Sequence, residues 1–143
     1  MEVPERVETA KAEAAAAGVP ASCEDDLGRL LATLAAGVPE GGRVLVLGAG
    51  TGVGTAWIAE GVEGRTDVEV VVADTPVGTF DLAFAVGEGV LPAVGALRPN
   101  GALVAVAMGD RRSEWVRRTL LQHPDLLAVE LDLAGGVILC TRR

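Results

Sequence analysis

Apolar positions along this chain recur with two different periods, and the change of period divides it. Leu27, Leu30, Leu31 and Leu34 repeat at helical spacing. Ser22 can cap that segment, with Asp25 three residues on, and Gly37 and Pro39 stop it. Before it, the Ala- and Glu-rich stretch from Pro4 to Ala17 predicts another helix, with Pro4 in its first turn and Gly18 at its end. From Arg43 the period is lost. Arg43 to Leu47 is wholly apolar after its first residue, the pattern of a strand buried on both faces.

The remainder alternates in the same way. Gly48 to Gly54 is a glycine loop, Thr55 to Glu60 reads as helix, and Asp67 to Ala73 is a β-branched strand. Phe80 to Val86 predicts a further strand and Gly89 to Leu97 a short helix with Pro92 near its start. A turn at Arg98-Pro-Asn-Gly101 leads into a strand from Ala102 to Met108. Ser113 to Gln122 follows as a helix carrying Trp115, Val116, Thr119 and Leu120 on one face. Leu126 to Leu133, a Gly135-Gly136 turn and Val137 to Thr141 form a hairpin pattern. Alternating strands and helices imply an α/β fold, a mainly parallel sheet with helices on both faces and an antiparallel hairpin at its end.

Composition narrows the reading. A length of 143 residues suits a single domain, with N-terminal helices over 1–38 and an α/β core over 42–143. Half the residues are apolar but only two Phe and two Trp are aromatic, so the core is built from Ala, Val and Leu. A formal charge of −8 argues against a nucleic-acid partner; Arg111, Arg112, Arg117 and Arg118 read as a solvated helix face. No apolar run reaches the roughly 18 residues that span a bilayer, and no signal-peptide pattern is present. Cys23 and Cys140 stand apart without metal spacing, and His123 sits alone before Pro124. Packing cysteines and a half-exposed helix-end histidine are the readings adopted, and together these features point to the cytoplasm.

Chemistry concentrates at the glycine loop. A buried strand running into Gly48-Ala-Gly-Thr-Gly-Val-Gly54 and then a helix is an arrangement that holds a nucleotide. The dinucleotide spacing G-x-G-x-x-G fails from Gly48, where Val53 takes the last position, and from Gly50, where Thr55 does. That disfavours a nicotinamide-dependent oxidoreductase and leaves G-x-G-x-G. Asp74, 22 residues past Gly52 at the end of the next strand, is placed either to accept from a ribose diol or to serve as a strand-end turn residue before Thr75-Pro76.

The blocks RVLVLGAGTGVGTAW, FDLAFA, LRPNGALV and LLAVELDLAGGVILCTR, in that order, resemble consecutive blocks of the class I S-adenosylmethionine-dependent O-methyltransferases of the type related to catechol O-methyltransferase. The likeness runs from about Ser22 to Thr141. It implies a reduced Rossmann-like methyltransferase sheet, with Gly48, Ala49, Gly50 and Gly52 lining the methionine and ribose of the cofactor and Asp74 taking the ribose hydroxyls.

Departures from that family are systematic. The acid usual two residues before the first glycine is Val46 here. The carboxylates that hold a divalent metal in metal-dependent members are replaced by Val86, Val106 and Ala107, which removes the oxygen ligands such an ion requires. Glu88 and Asp110 are the nearby acids, readable as surface turn residues or as bases. The helix, strand and second helix that the family inserts after Ala73 are missing, and only Asp74 to Thr79 remain before Phe80. Six residues extend about 20 Å, whereas a parallel crossover takes roughly a dozen residues or more. The expectation is therefore an antiparallel hairpin around Thr75 to Gly78, or exchange of elements between two chains.

Two functions follow from the resemblance. One is methyl transfer from S-adenosylmethionine to a small hydroxylated acceptor without metal, with Asp110 or Glu88 as base. The other is a non-methylating descendant: a small-molecule binding protein, a cyclase- or isomerase-like enzyme, or a partner subunit. A homodimer is expected as well, because the gap would leave Val70, Val71, Val72, Leu82 and Phe84 in need of cover.

Overall fold

The computed structural model describes residues 2–19, 23–48, 52–106 and 111–143, the side chains of 111 and 112 excepted. Among these residues five α-helices, α1 (Glu5–Ala16), α2 (Asp25–Ala36), α3 (Gly52–Gly61), α4 (Val90–Gly95) and α5 (Arg111–Leu121), flank a six-stranded sheet. The strands are β1 (Arg43–Leu47), β2 (Glu69–Ala73), β3 (Phe80–Val86), β4 (Leu97–Val106), β5 (Leu126–Leu131) and β6 (Val137–Arg142), in the order β2-β1-β3-β4-β6-β5. The first four are parallel; β6 is antiparallel to β4 and closes with β5 as the expected hairpin.

Side-chain alternation separates two cores. Val44 and Val46 of β1, with Leu82 and Phe84 of β3, pack under α1, α2 and α3 through Val7, Leu27, Leu31, Val53, Trp57 and Ile58. Leu45 and Leu47, with Ala83 and Ala85, face the other way toward Val90 and Ala93 of α4 and Leu120 of α5. β1 after Arg43 and β3 after Asp81 are buried on both faces, which is why they read as apolar runs. The α2–α3 contact is tight because glycines remove side chains from it. A Cβ on Gly28 would meet the Trp57 indole at 2.1 Å, and one on Gly61 would meet the Ala32 carbonyl oxygen at 2.3 Å.

The connection between β2 and β3 corrects the sequence expectation. It is neither a hairpin nor an exchange: β3 lies parallel to β1 on the side away from β2, within one chain. The physical reason is reach. β2 has five residues, so the chain must descend about 17 Å and cross two strand spacings of ~4.8 Å, a diagonal of about 20 Å. Six nearly extended residues cover that distance; the dozen-residue rule applies where the crossover contains a helix. Asp74–Thr79 is thus a strap across the α4–α5 face. Arg43, which shares that face with Leu45 and Leu47, donates from Nη1 to the carbonyls of Val77 and Thr79, both at 3.3 Å. Its guanidinium stacks over the Phe80 ring at 4.4 Å and pairs with Glu69 at 3.1 Å. Gly78, at φ +88°, lets the strap pass this close: a Cβ there would sit 2.5 Å from Arg43 Nη1.

The strap changes which residues the gap leaves open. Leu82 and Phe84 are fully buried, Val70 and Val71 half-buried, and only Val72 is well exposed, at 60%. Other boundaries shift. β4 starts at Leu97, so the Arg98-to-Gly101 turn is an irregular part of the strand, with a register shift opposite Phe80 to Leu82 and Asn100 at φ 68°. The predicted helix over Gly89 to Leu97 divides into a 3-10 turn, Gly87–Gly89, and α4. Trp115 is 59% exposed rather than packed, while Leu120 and Val116 do face the core. Ser22 lies outside the described residues, and the residue before α2 is Glu24, with no side-chain cap bond.

Candidate functional site

The carboxyl ends of the parallel strands share one edge. Leu47 is level with Ala73 of β2 and Ala85 of β3, so the next residues, Asp74, Gly48 and Val86, stand in a row, and Val106 of β4 continues it beside Val86. Strand order reverses between β1 and β3, with α3 leaving over one face and the strap over the other. Such a switch point opens a crevice beyond the strand ends. The predicted Gly48, Gly52, Asp74 and Glu88 all come to this edge. Ala49, Gly50 and Asp110 lie outside the described residues, as does Ala107.

The glycines divide by what surrounds them. Gly48 adopts φ +119°, and a Cβ on it would sit 2.9 Å from the Val86 carbonyl oxygen. Gly54 faces the Phe84 ring, where a Cβ would lie 2.3 Å away. Both are required by packing against β3. Gly52, the first residue of α3, has open space within 4 Å of its Cβ position. It stands at the positive end of the α3 dipole. Gly89 was not singled out by sequence reasoning, yet it lets the 3-10 turn close on β1, its Cβ position lying 3.0 Å from the Leu47 carbonyl oxygen.

Among the described residues, polar chemistry at the edge is sparse. Asp74 is exposed directly after β2, and Glu88 is exposed in the 3-10 turn after β3. Val86 and Val106 are buried, and Val46 lies inside the α2–α3 core. Among the described residues no three His, Cys, Asp or Glu side chains gather into a metal-binding group. No helix among them is long and apolar enough to cross a membrane. Cys23 and Cys140 are buried, and burial pushes their thiols up to about 12 and about 11. His123 is half-buried after α5, its Nδ1 accepting from the Asp125 N–H at 3.1 Å.

Arg43 is the polar residue that sequence reasoning passed over. A lone cation opening an apolar strand was the available signal, and the structure uses it to hold the strap at the opposite end of the sheet.

Gly48, the start of α3 and the exposed Asp74 one strand away are the described residues that could hold a nucleotide-type ligand at this edge. Solved structures carry the same architecture. An O-methyltransferase from Bacillus cereus in complex with SAH is 18% identical with a TM-score of 0.72, the match covering 100% of this chain and 93% of that one. A methyltransferase from Geobacter sulfurreducens is 22% identical with a TM-score of 0.72 over 99% and 90% of the two chains. The O-methyltransferase TomG from Streptomyces achromogenes, in complex with SAM, is 18% identical with a TM-score of 0.72 over 99% and 91%. No protein-family model and no curated protein sequence matches the chain. With matches that cover 99–100% of its length, the chain has the fold of the class I S-adenosylmethionine-dependent O-methyltransferases.

Proposed function

We propose that this protein binds S-adenosylmethionine at the β1–α3 loop and transfers its methyl group to a small hydroxylated acceptor without a metal ion. The observation that carries the reading is the row Asp74, Gly48 and Val86 at the switch point, with the open side of Gly52 above it. Bound there, the sulfonium cofactor supplies an electrophilic methyl group. Gly48, Ala49, Gly50 and Gly52 border its methionine and ribose, and Asp74 accepts from the ribose hydroxyls. Catalysis then rests on in-line orientation of the acceptor oxygen, with Glu88 or Asp110 to take the hydroxyl proton as the methyl group passes from sulfur to oxygen and S-adenosylhomocysteine leaves.

Val46 supplies no carboxylate behind the loop, and a six-residue strap gives little cover to an adenine. Both argue for affinity weaker than about 1 μM. Titration calorimetry with S-adenosylmethionine and S-adenosylhomocysteine tests the reading, and absence of heat with either at millimolar ligand sinks it. A methyl-transfer rate abolished by a chelator would overturn the metal-free part.

A second reading is favoured by one observation: the ends of β3 and β4 are the buried valines Val86 and Val106. A site with so few groups to activate an acceptor suits a protein that binds the cofactor or a related nucleoside without transferring its methyl group. Binding without turnover over a broad panel of phenols and catechols would select it.

A further inference from the structure

Among the described residues β2 ends the sheet and is hydrogen-bonded to β1 alone. The Glu69 N–H donates to the Gly42 carbonyl at 3.1 Å. That sets the phase of the ladder: the backbone groups of Glu69, Val71 and Ala73 turn toward β1, and those of Val70 and Val72 turn outward. Sheet edges are ordinarily protected by charge, proline or a bulge. Between Glu69 and Asp74 this edge has three valines and an alanine, with Val72 60% exposed. The other edge, β5, carries Glu130, held by Arg117 of α5 with its Nε at 2.6 Å.

We propose that the outer edge of β2 pairs with the same strand of a second copy, antiparallel about a two-fold axis at Val71. That register makes Val70 and the second copy's Val72 exchange backbone hydrogen bonds, in both directions. It sets Val71 against Val71 and pairs all five residues of the strand; a slip of two residues pairs only three. Charge agrees with the register. The chain carries −8, so two copies meet only where carboxylates do not face each other, and here Glu69 meets Ala73 while Asp74 meets Val68. Faces agree too, since Val70 and Val72 lie on the same side of the sheet and stay together across the axis. A five-residue strand buries less than the ~800 Å² per partner of standard interfaces, so the dimer forms with rising concentration.

Light scattering and sedimentation at roughly 100 μM, a concentration chosen for such a small contact, test the proposal. The full chain should approach twice its 14.6 kDa. Val72→Lys should return it to the mass of one chain with an unchanged circular dichroism spectrum, and Leu127→Lys on β5 should leave the dimer intact. Val71→Cys should form an intermolecular disulfide on mild oxidation, because residues facing in a non-hydrogen-bonded pair have Cα atoms ~4.5 Å apart. A single-chain mass throughout overturns the proposal. So does a dimer lost with Leu127→Lys and kept with Val72→Lys. If Val72→Lys fails to fold, the Val71→Cys cross-link decides, and its absence counts against the β2 edge.

Discussion

Alanine substitution of three glycines, Gly48 after β1 and Gly52 and Gly54 in the first turn of α3, separates packing from ligand binding. At Gly48 the alanine must hold φ +119° with its Cβ 2.9 Å from the Val86 carbonyl oxygen. Backbone strain of ~1–3 kcal/mol combines with overpacking of about the same size, so Gly48→Ala should lose about 3 kcal/mol. For a chain of this length that is a fall in Tm of about 10 °C. Gly54→Ala gains roughly 1 kcal/mol in helix propensity, but its Cβ lands 2.3 Å from a fully buried Phe84 ring. The net loss should be about 1–2 kcal/mol. At Gly52 nothing lies within 4 Å, so alanine should be neutral or add up to ~1 kcal/mol. If the cofactor occupies that open side, the new methyl group displaces it, and affinity for S-adenosylhomocysteine should fall at least about tenfold, or ~1.4 kcal/mol. Thermal denaturation and titration calorimetry on the three variants give both quantities. The reasoning fails if Gly52→Ala is destabilised as much as Gly48→Ala, or if it binds as the parent chain does.

Three further outcomes are expected. Cys23 and Cys140, buried and with thiols raised to about 12 and about 11, should stay unlabelled by a disulfide reagent at pH 8 and both react in denaturant; labelling of the native chain within minutes would contradict their burial. Arg43→Met keeps an apolar contact with Phe80 but loses the bonds to the Val77 and Thr79 carbonyls, so proteolysis within the strap should accelerate and stability fall by ~1–2 kcal/mol; unchanged cleavage would show that the strap does not depend on it. The Gly41 N–H, and after it Arg65, holds Asp67 below the usual carboxylate range. Its contribution is therefore present above the unfolded value of ~3.9 and lost as pH falls through the lower folded value. The stability gap between the parent chain and Asp67→Asn should close over that acid range; a gap that stays constant would refute the assignment.

Particular elements explain how much was legible in advance. β1 and β3 have the bounds that their apolar runs predict, because burial on both faces confines the charged residues, Arg43 and Asp81, to their first two positions. The glycine loop and Asp74 were legible as neighbours, since parallel strands bring successive carboxyl ends to one edge. The strap was not, because its feasibility depends on the length of β2, which begins at Glu69 rather than Asp67 and shortens the descent. The start of β4 was hidden by a register shift that absorbs Pro99 and Gly101 into the strand. Gly54 looked like part of a ligand loop, and the structure assigns it to Phe84, a residue 30 positions away whose proximity no local pattern encodes.

The order β2-β1-β3-β4 divides the proposed site into two halves of different chemistry. Asp74 and the glycine turn belong to β2 and β1, on the cofactor side. The acceptor side, at the ends of β3 and β4, presents Val86 and Val106, with Glu88 one turn beyond. Among the described residues, this side offers a bound hydroxyl buried valines and the exposed Glu88, a modest base. The rate of methyl transfer should therefore depend on how readily the acceptor gives up its own proton. Electron-poor phenols should be methylated faster than electron-rich ones, and aliphatic alcohols scarcely at all. Single-turnover rates over a series of para-substituted phenols, with pH held above neutrality, measure that dependence. Glu88→Gln should steepen it if Glu88 is the base and leave it unchanged if Asp110 is. A flat profile, or a rate raised by added Mg²⁺, would mean that the acceptor is activated by something other than its own acidity, and the metal-free mechanism would fall.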